Sequence, residues 1–193
     1  MLGIAEIATL IIAYLIGSIP VGLIVSKFNR VDITAVGSGN VGATNVARTL
    51  GKKAGILVLV LDCFKGILPM CIVNILGLTN SYWIPFAVVS GHCFSLPGLK
   101  GGKGVATALG TLIAYTPLTA LVSLFVFAIT FYKSRIVSLS SIVATWSAPL
   151  FILISDFNSL WIHSFVLTAL LITYRHRDNI DRITKGIESK FKV

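Results

Sequence analysis

The sequence predicts an all-α integral membrane protein with seven transmembrane helices, some of them short or broken. Three observations carry this. Of the 193 residues, 55% are apolar and only 12% are charged, about half the ~25% of soluble domains. Mean hydropathy is +0.92. Apolar runs approaching the ~20 residues that span a bilayer recur along the whole chain.

The first run, 3–26, has no basic residue before it and is too long for a signal peptide, so it is read as a retained helix. The second, 54–77, carries Asp62 and Lys65 near its middle, where one charge costs about 2.5–3.5 kcal/mol. Their i, i+3 spacing puts them on one helical face, as a mutually neutralising pair turned toward the bundle. Runs 82–96, 104–115, 117–132 and 159–174 are short for a full crossing, and tilt or local thinning of the bilayer accommodates them. The sixth run is 136–155. Pro117 separates the fourth and fifth runs, and charge decides against joining them. With seven spans, 15 of the 16 basic residues lie in 27–53, 97–103, 133–135 and 175–193, all on one face. That face is cytoplasmic by the positive-inside rule, which puts the N-terminus outside and the C-terminus inside. The whole chain, 1–193, reads as a single domain without repeats. Cys63, Cys71 and Cys93 form neither an even set nor a metal spacing, and read as small buried apolar residues.

The net charge of +9 exceeds what topology needs, and basic tails next to a bilayer attract anionic headgroups. Nucleic acid is a poor partner for basic residues split among four short loops without an aromatic platform.

The glycine-rich segments all fall on the basic face. "GSGNVGATN" (37–45) fits the dinucleotide fingerprint G-x-G-x-x-G, but no strand precedes it and a membrane helix occupies the place of the second strand. "KGGKG" (100–104) fails the P-loop spacing, and Gly104 stands where a Ser or Thr would hold magnesium. What both offer is main chain without Cβ, where N–H groups can close on an anion beside a helix start. Turns and tight helix packing explain Gly17, Gly22 and Gly77 well, but explain a lysine set among exposed glycines poorly. A third segment, "YRHRDNIDRITKG" (174–186), places His176, Asp178 and Asn179 among cations at the end of the last membrane helix.

Taken together, "GSIPVG" (17–22), "GSGNVGATN…R" (37–48), "LDCFKG" (61–66), "GH…KGGKGVATALG" (91–110), "VSLSSI" (137–142) and "YRHRDNI" (174–180) resemble the PlsY family over nearly the whole chain. These are bacterial membrane glycerol-3-phosphate acyltransferases that use acyl phosphate. The resemblance implies seven spans with cytoplasmic motifs and neither cofactor nor metal. It implies transfer of a fatty acyl group to the sn-1 hydroxyl of glycerol 3-phosphate in phospholipid synthesis, with an upstream acyl-phosphate-forming enzyme as supplier. By the same resemblance Ser38, Arg48, Lys103, His176 and Asn179 are the catalytic set. Gly37, Gly39, Asn40, Gly42, Thr44 and Asn45 shape the first phosphate pocket; Lys100, Gly101, Gly102 and Gly104 form the glycerol-phosphate loop; Ser138 lies beside it. The proton acceptor is either His176 or a substrate phosphate oxygen. This chain departs from the family at Pro97, which comes late after Gly91-His92, and at Asp178, where Glu is usual.

Two further readings compete. His176 and Asp181 fit H-x₄-D, the dyad of acyl-CoA-dependent acyltransferases. A transporter for a phosphorylated solute would instead line a midplane pathway with charge.

Overall fold

The computed structural model describes residues 3–78, 81–96, 100–156 and 159–191; Pro97 lies outside them. Every regular element among these residues is helical. Among the described residues seven apolar segments pack into a bundle, and two polar helices lie at one end of it.

The first segment corrects the expectation of one continuous helix. It is two, α1 (Ile4–Gly17) and α2 (Val21–Phe28), interrupted at Ser18-Ile19-Pro20. Pro20 has no N–H to continue the ladder, so carbonyls of the preceding turn are left without helical donors. At membrane depth such groups need a protein partner. Lys65 supplies it: its Nζ donates to Gly17 O at 3.0 Å and Ile19 O at 2.8 Å. Asp62 Oδ1 lies 3.0 Å from the ammonium and neutralises it. The pair does face the bundle, as its spacing predicts, and it also holds the broken helix together.

After a loop comes α3 (Ala43–Leu50), then α4 (Lys52–Ile75), α5 (Ile84–Phe94), α6 (Val105–Tyr115), α7 (Pro117–Ser134), α8 (Val137–Ser155), α9 (Trp161–Arg175) and α10 (Arg177–Thr184). Thr116 is extended (φ −145°, ψ 92°), so α6 and α7 are separate helices, as the charge distribution requires. Four segments (Ile4–Phe28, α4, α7 and α8) are long and apolar enough to cross a membrane. α5 and α6 have 11 residues each, a rise of roughly 16 Å.

Close backbone approach sets the tightest pairs. Gly66 of α4 and Gly110 of α6 face each other, and a Cβ on either would collide with the opposite main chain, at Thr107 O and Cys63 O. Gly17 and Gly91 do the same for α1 and α5. This is small-residue packing, which replaces the hydrophobic drive that lipid does not provide. Core residues Met70, Val88, Val89 and Ile172 join α4, α5 and α9, while Leu112, Ala148, Ile152 and Phe165 join α6, α8 and α9. Ile56, Val60 and Phe64 on α4, Leu121 and Phe125 on α7, and Ile154 on α8 stand exposed, an apolar exterior suited to lipid. Of the cysteines only Cys93 is fully buried; Cys71 is on the outside and Cys63 between, contrary to the uniform burial expected.

Lys65→Met removes the donor for the buried Gly17 carbonyl and the part-buried Ile19 carbonyl and leaves Asp62 unpaired, a loss of about 3–5 kcal/mol by the usual cost of breaking a buried pair. The thermal unfolding midpoint in detergent should fall markedly, and Asp62→Asn/Lys65→Met should recover part of it. An unchanged midpoint for Lys65→Met would show that water or lipid satisfies the break.

Candidate active site

A cavity of about 740 Å³ opens at the end of the bundle where α3, α10 and the starts of α6 and α8 meet. Its mouth is polar, with Ser38, Asn40, Arg48, Lys103, Ser138, His176 and Asn179 on the wall. Its depth is apolar, between Leu109, Leu112, Leu124, Phe127, Ala144, Ala148 and Phe165. Residues separated by as many as 141 positions therefore share one cleft that runs from cations to a lipid-like interior.

The first glycine loop is shaped from inside by Asn45, which is 2% exposed. Its Nδ2 donates to Ile33 O, Val36 O and Asn40 O, and its Oδ1 accepts Ser38 N–H at 2.9 Å. Gly37 (φ 61°) and Gly39 (φ 65°) take the left-handed backbone that this wrap requires. Asn40 Oδ1 accepts Gly42 N–H at 2.8 Å. Gly42 then caps α3, whose first turn, Ala43, Thr44 and Asn45, borders the cavity with its positive end. Gly37 and Gly42 also line the cavity, whereas Gly39 lies off it, next to the Lys100 ammonium.

The second glycine loop sits behind the wall. Gly102 N–H donates to His92 O at 3.0 Å, and Arg175 clamps the far side, with Nε on Gly102 O and Nη2 on Gly101 O, both 3.1 Å. Lys100, Gly101 and Gly102 do not line the main cavity; Lys103 and Gly104 do. Gly104 is left-handed (φ 83°) and turns the chain into α6, which leaves Lys103 projecting into the mouth.

Lys103 Nζ donates to Asn179 Oδ1. Burial pulls its ammonium down to about 8, with Glu188 opposing and Arg182 adding to the fall. His176 is buried, and its Nδ1–H donates to Ile172 O at 2.8 Å, so Nε2 is the basic nitrogen. Burial, joined by the Lys103 ammonium, pushes His176 down to about 4, so it is neutral at pH 7.

One carboxylate organises the mouth, and the motif reading missed it. Glu188 accepts from Ser138 Oγ at 2.7 Å, Asn179 Nδ2 at 2.6 Å and Arg182 Nε at 2.6 Å. Burial works to raise its carboxyl, but these bonds outweigh it and hold it below the ordinary range. Next to it, Ser189 accepts Arg48 Nη1 on Oγ (3.1 Å), and Phe191 lies 5.7 Å from the guanidinium. The signal was available: Glu188 is the sole acid after Asp181 in a basic tail. Asp178, by contrast, is largely exposed and only 3.8 Å from Arg177, so the acidic role near His176 belongs to Glu188. Asp181 is tied to Lys185 at 2.8 Å on the exposed face, which removes it as a dyad partner for His176.

Arg48, Lys103 and Arg182 share the mouth with one carboxylate, Glu188, which leaves excess positive charge above a largely apolar channel. Fold and site together define a multi-pass membrane protein with a cationic mouth over a largely apolar cavity. Residues 7–186 match the family model described as Glycerol-3-phosphate acyltransferase. The glycerol-3-phosphate acyltransferase of Geotalea daltonii is 44% identical over 97% of this chain and 98% of its own, and that of Aquifex aeolicus 47% identical over 94% and 96%. A crystal structure of PlsY, an integral membrane glycerol 3-phosphate acyltransferase, in its glycerol 3-phosphate form superposes with a TM-score of 0.92 at 44% identity, covering 97% of this chain and 96% of that one. The lysophosphatidic acid form superposes with a TM-score of 0.89 at 43% identity, over the same 97% and 96%. The chain belongs to the glycerol-3-phosphate acyltransferase family.

Sulfate keeps a constant charge near neutrality and so reports the protein's own ionisation. Its affinity for the purified protein should weaken as pH rises through about 8, where free Lys103 loses its proton. Lys103→Arg should abolish that dependence. A flat profile in the wild type would exclude Lys103 from the anion site.

Proposed function

We propose that the protein acylates the sn-1 hydroxyl of glycerol 3-phosphate with a fatty acyl group from acyl phosphate. The products are 1-acyl-glycerol 3-phosphate and inorganic phosphate, and the role is phospholipid synthesis. The working unit is the single domain 1–193, crossing a bacterial inner membrane seven times with the N-terminus outside and the cavity mouth facing the cytoplasm. An acyl-phosphate-forming enzyme supplies the donor. The observation that carries this reading is the single cavity that joins a cationic mouth to an apolar channel. It matches the shape of a chain ending in phosphate. That relatives are structures of glycerol 3-phosphate and lysophosphatidic acid forms supports both ends of the reaction.

The donor is a mixed anhydride and already activated, so the site needs positioning and charge more than a nucleophile. Arg48 and the first loop with Ser38 hold one phosphate at the rim. Lys103, with Asn179 and Ser138 beside it, holds the other. The acceptor oxygen attacks the acyl carbonyl carbon; the C–O bond to phosphate breaks; phosphate leaves as its hydrogen form, carrying the hydroxyl proton. Basicity decides where that proton goes. A phosphate monoester titrates near ~6, whereas neutral His176 sits at about 4. Phosphate is the stronger base and takes the hydroxyl's one proton, while neutral His176 helps to hold the acceptor at the mouth.

Purified protein should release phosphate from palmitoyl phosphate only when glycerol 3-phosphate is present, and should leave palmitoyl-CoA untouched. Turnover from the CoA ester alone would overturn the donor assignment. Arg48→Ala should lose about 10²–10³-fold in rate in folded protein, as expected when a phosphate loses its paired cation; near-normal turnover would remove Arg48 from the site. Asp181→Asn should leave activity essentially unchanged.

A further inference from the structure

Behind the glycine loop lies a buried group that the reaction scheme does not use. Lys65 Nζ places its protons on Gly17 O, Ile19 O and His92 Nδ1, the last at 3.1 Å. Asp62 Oδ1 balances the charge, 3.0 Å from Lys65 Nζ and 3.6 Å from the imidazole. Thr107 Oγ1, bonded to Asp62 O at 2.9 Å, closes on the same ring nitrogen at 3.2 Å. His92 itself is 8% exposed. With Nδ1 taken up from behind, Nε2 is left at the opposite edge, and that edge rests against Gly102: a Cβ there would collide with Nε2 first, and with Cδ2 and Cε1 next. The main chain of the same residue receives Gly102 N–H at 3.0 Å. Arg175 holds the opposite side of Gly102 through its carbonyl, 3.1 Å from Nε. Lys103 is the next residue along.

We propose that His92 is a positioning residue for the acyl transfer: its ring, wedged between Lys65 and Gly102, sets the height of the glycine loop and so where Lys103 meets the acceptor's phosphate. This rests on the reading of Lys103 as an acceptor ligand. It also accounts for glycine at 102 without an anion-binding nest, because the N–H that such a nest would use is already bonded to His92. The space beside its Cα is filled by the imidazole.

The contact can be tested as a cycle, with acyl transfer from palmitoyl phosphate as the readout. Gly102→Ala puts a methyl into the ring and should raise KM for glycerol 3-phosphate about tenfold or more, since displacements near 1 Å carry effects of this size. His92→Asn keeps a polar atom at the Nδ1 position and removes the edge under Gly102; it should raise the same KM comparably and leave KM for palmitoyl phosphate within about twofold. Combined, the methyl occupies the vacated space, so KM for the double variant should fall below that of Gly102→Ala alone. Effects that multiply, or a His92→Asn variant with unchanged KM, would overturn the proposal. His92→Gln reaches the Nε2 position and should lie closer to wild type than His92→Asn; the reverse order would mean that only the Lys65 side of the ring matters. Scoring the same cycle by sulfate affinity separates the two readings. Wild-type protein that binds sulfate with the predicted coupling but transfers no acyl group would refute the proposed function and leave intact the placement of Lys103 by His92 at an anion site.

Discussion

A single ammonium holds the architecture and the site together. Lys65 is buried in the middle of α4, where charge is costly, and it is retained because α1 stops at Pro20. Straight helices would have needed no such donor. The break lets α2 turn away and pack its Gly22 against the Val41 carbonyl, which fixes the first glycine loop. The same ammonium reaches His92, under the second. One charge therefore touches the supports of both loops, and its counter-ion, Asp62, lies at the edge of the cavity without entering the cluster at the mouth.

The mouth itself must do two opposed things. On the proposed function it must stay positive enough to bring phosphate to an apolar boundary, and it must keep Arg48, Lys103 and Arg182 from repelling each other when no anion is there. The tail answers this. Glu188 gathers Ser138, Asn179 and Arg182 on one carboxylate, and Asn179 passes the contact to Lys103. Ser189 does for Arg48 what Glu188 does for the others. A carboxylate carries less charge than a phosphate dianion, so it orders the donors without matching the charge they attract.

The membrane class, the seven apolar segments and the separation of α6 from α7 were legible because hydropathy and basic-residue placement act along the chain. Thr116-Pro117 between two runs, with Lys133 and Arg135 beyond, needed no tertiary information. The break in α1 was less so: Pro20 sits inside a run hydrophobic enough to read through, and the donor that makes the break tolerable comes from a residue 45 positions on. Motif residues told which groups gather, and Arg48, Lys103, His176 and Asn179 do line one cavity. Their division of labour was not legible. Asn45 serves the loop's own backbone, and Gly101 and Gly102 face Arg175 and His92, because hydrogen bonds between distant segments leave no local pattern. Asp178 drew attention by adjacency to His176, while Glu188, ten residues further along the tail, took the site.

The apolar half of the cavity bears on the chemistry as much as the charged half. Leu109, Leu112, Phe127 and Phe165 make the inner part of the cavity largely apolar, with Ser123, Ser141, Thr145 and Thr168 as its polar groups. On the proposed function the donor is an acyl phosphate, which is prone to hydrolysis, and a chain seated there would displace water from its carbonyl. Electrostatic attraction at the mouth strengthens as water leaves, since the same charges then act through a lower dielectric. On the proposed function, filling the channel with the donor would thus tighten the grip on the acceptor. On that reading the coupling needs no moving part: it follows from placing Lys103 and Arg48 at the mouth of a largely apolar cavity.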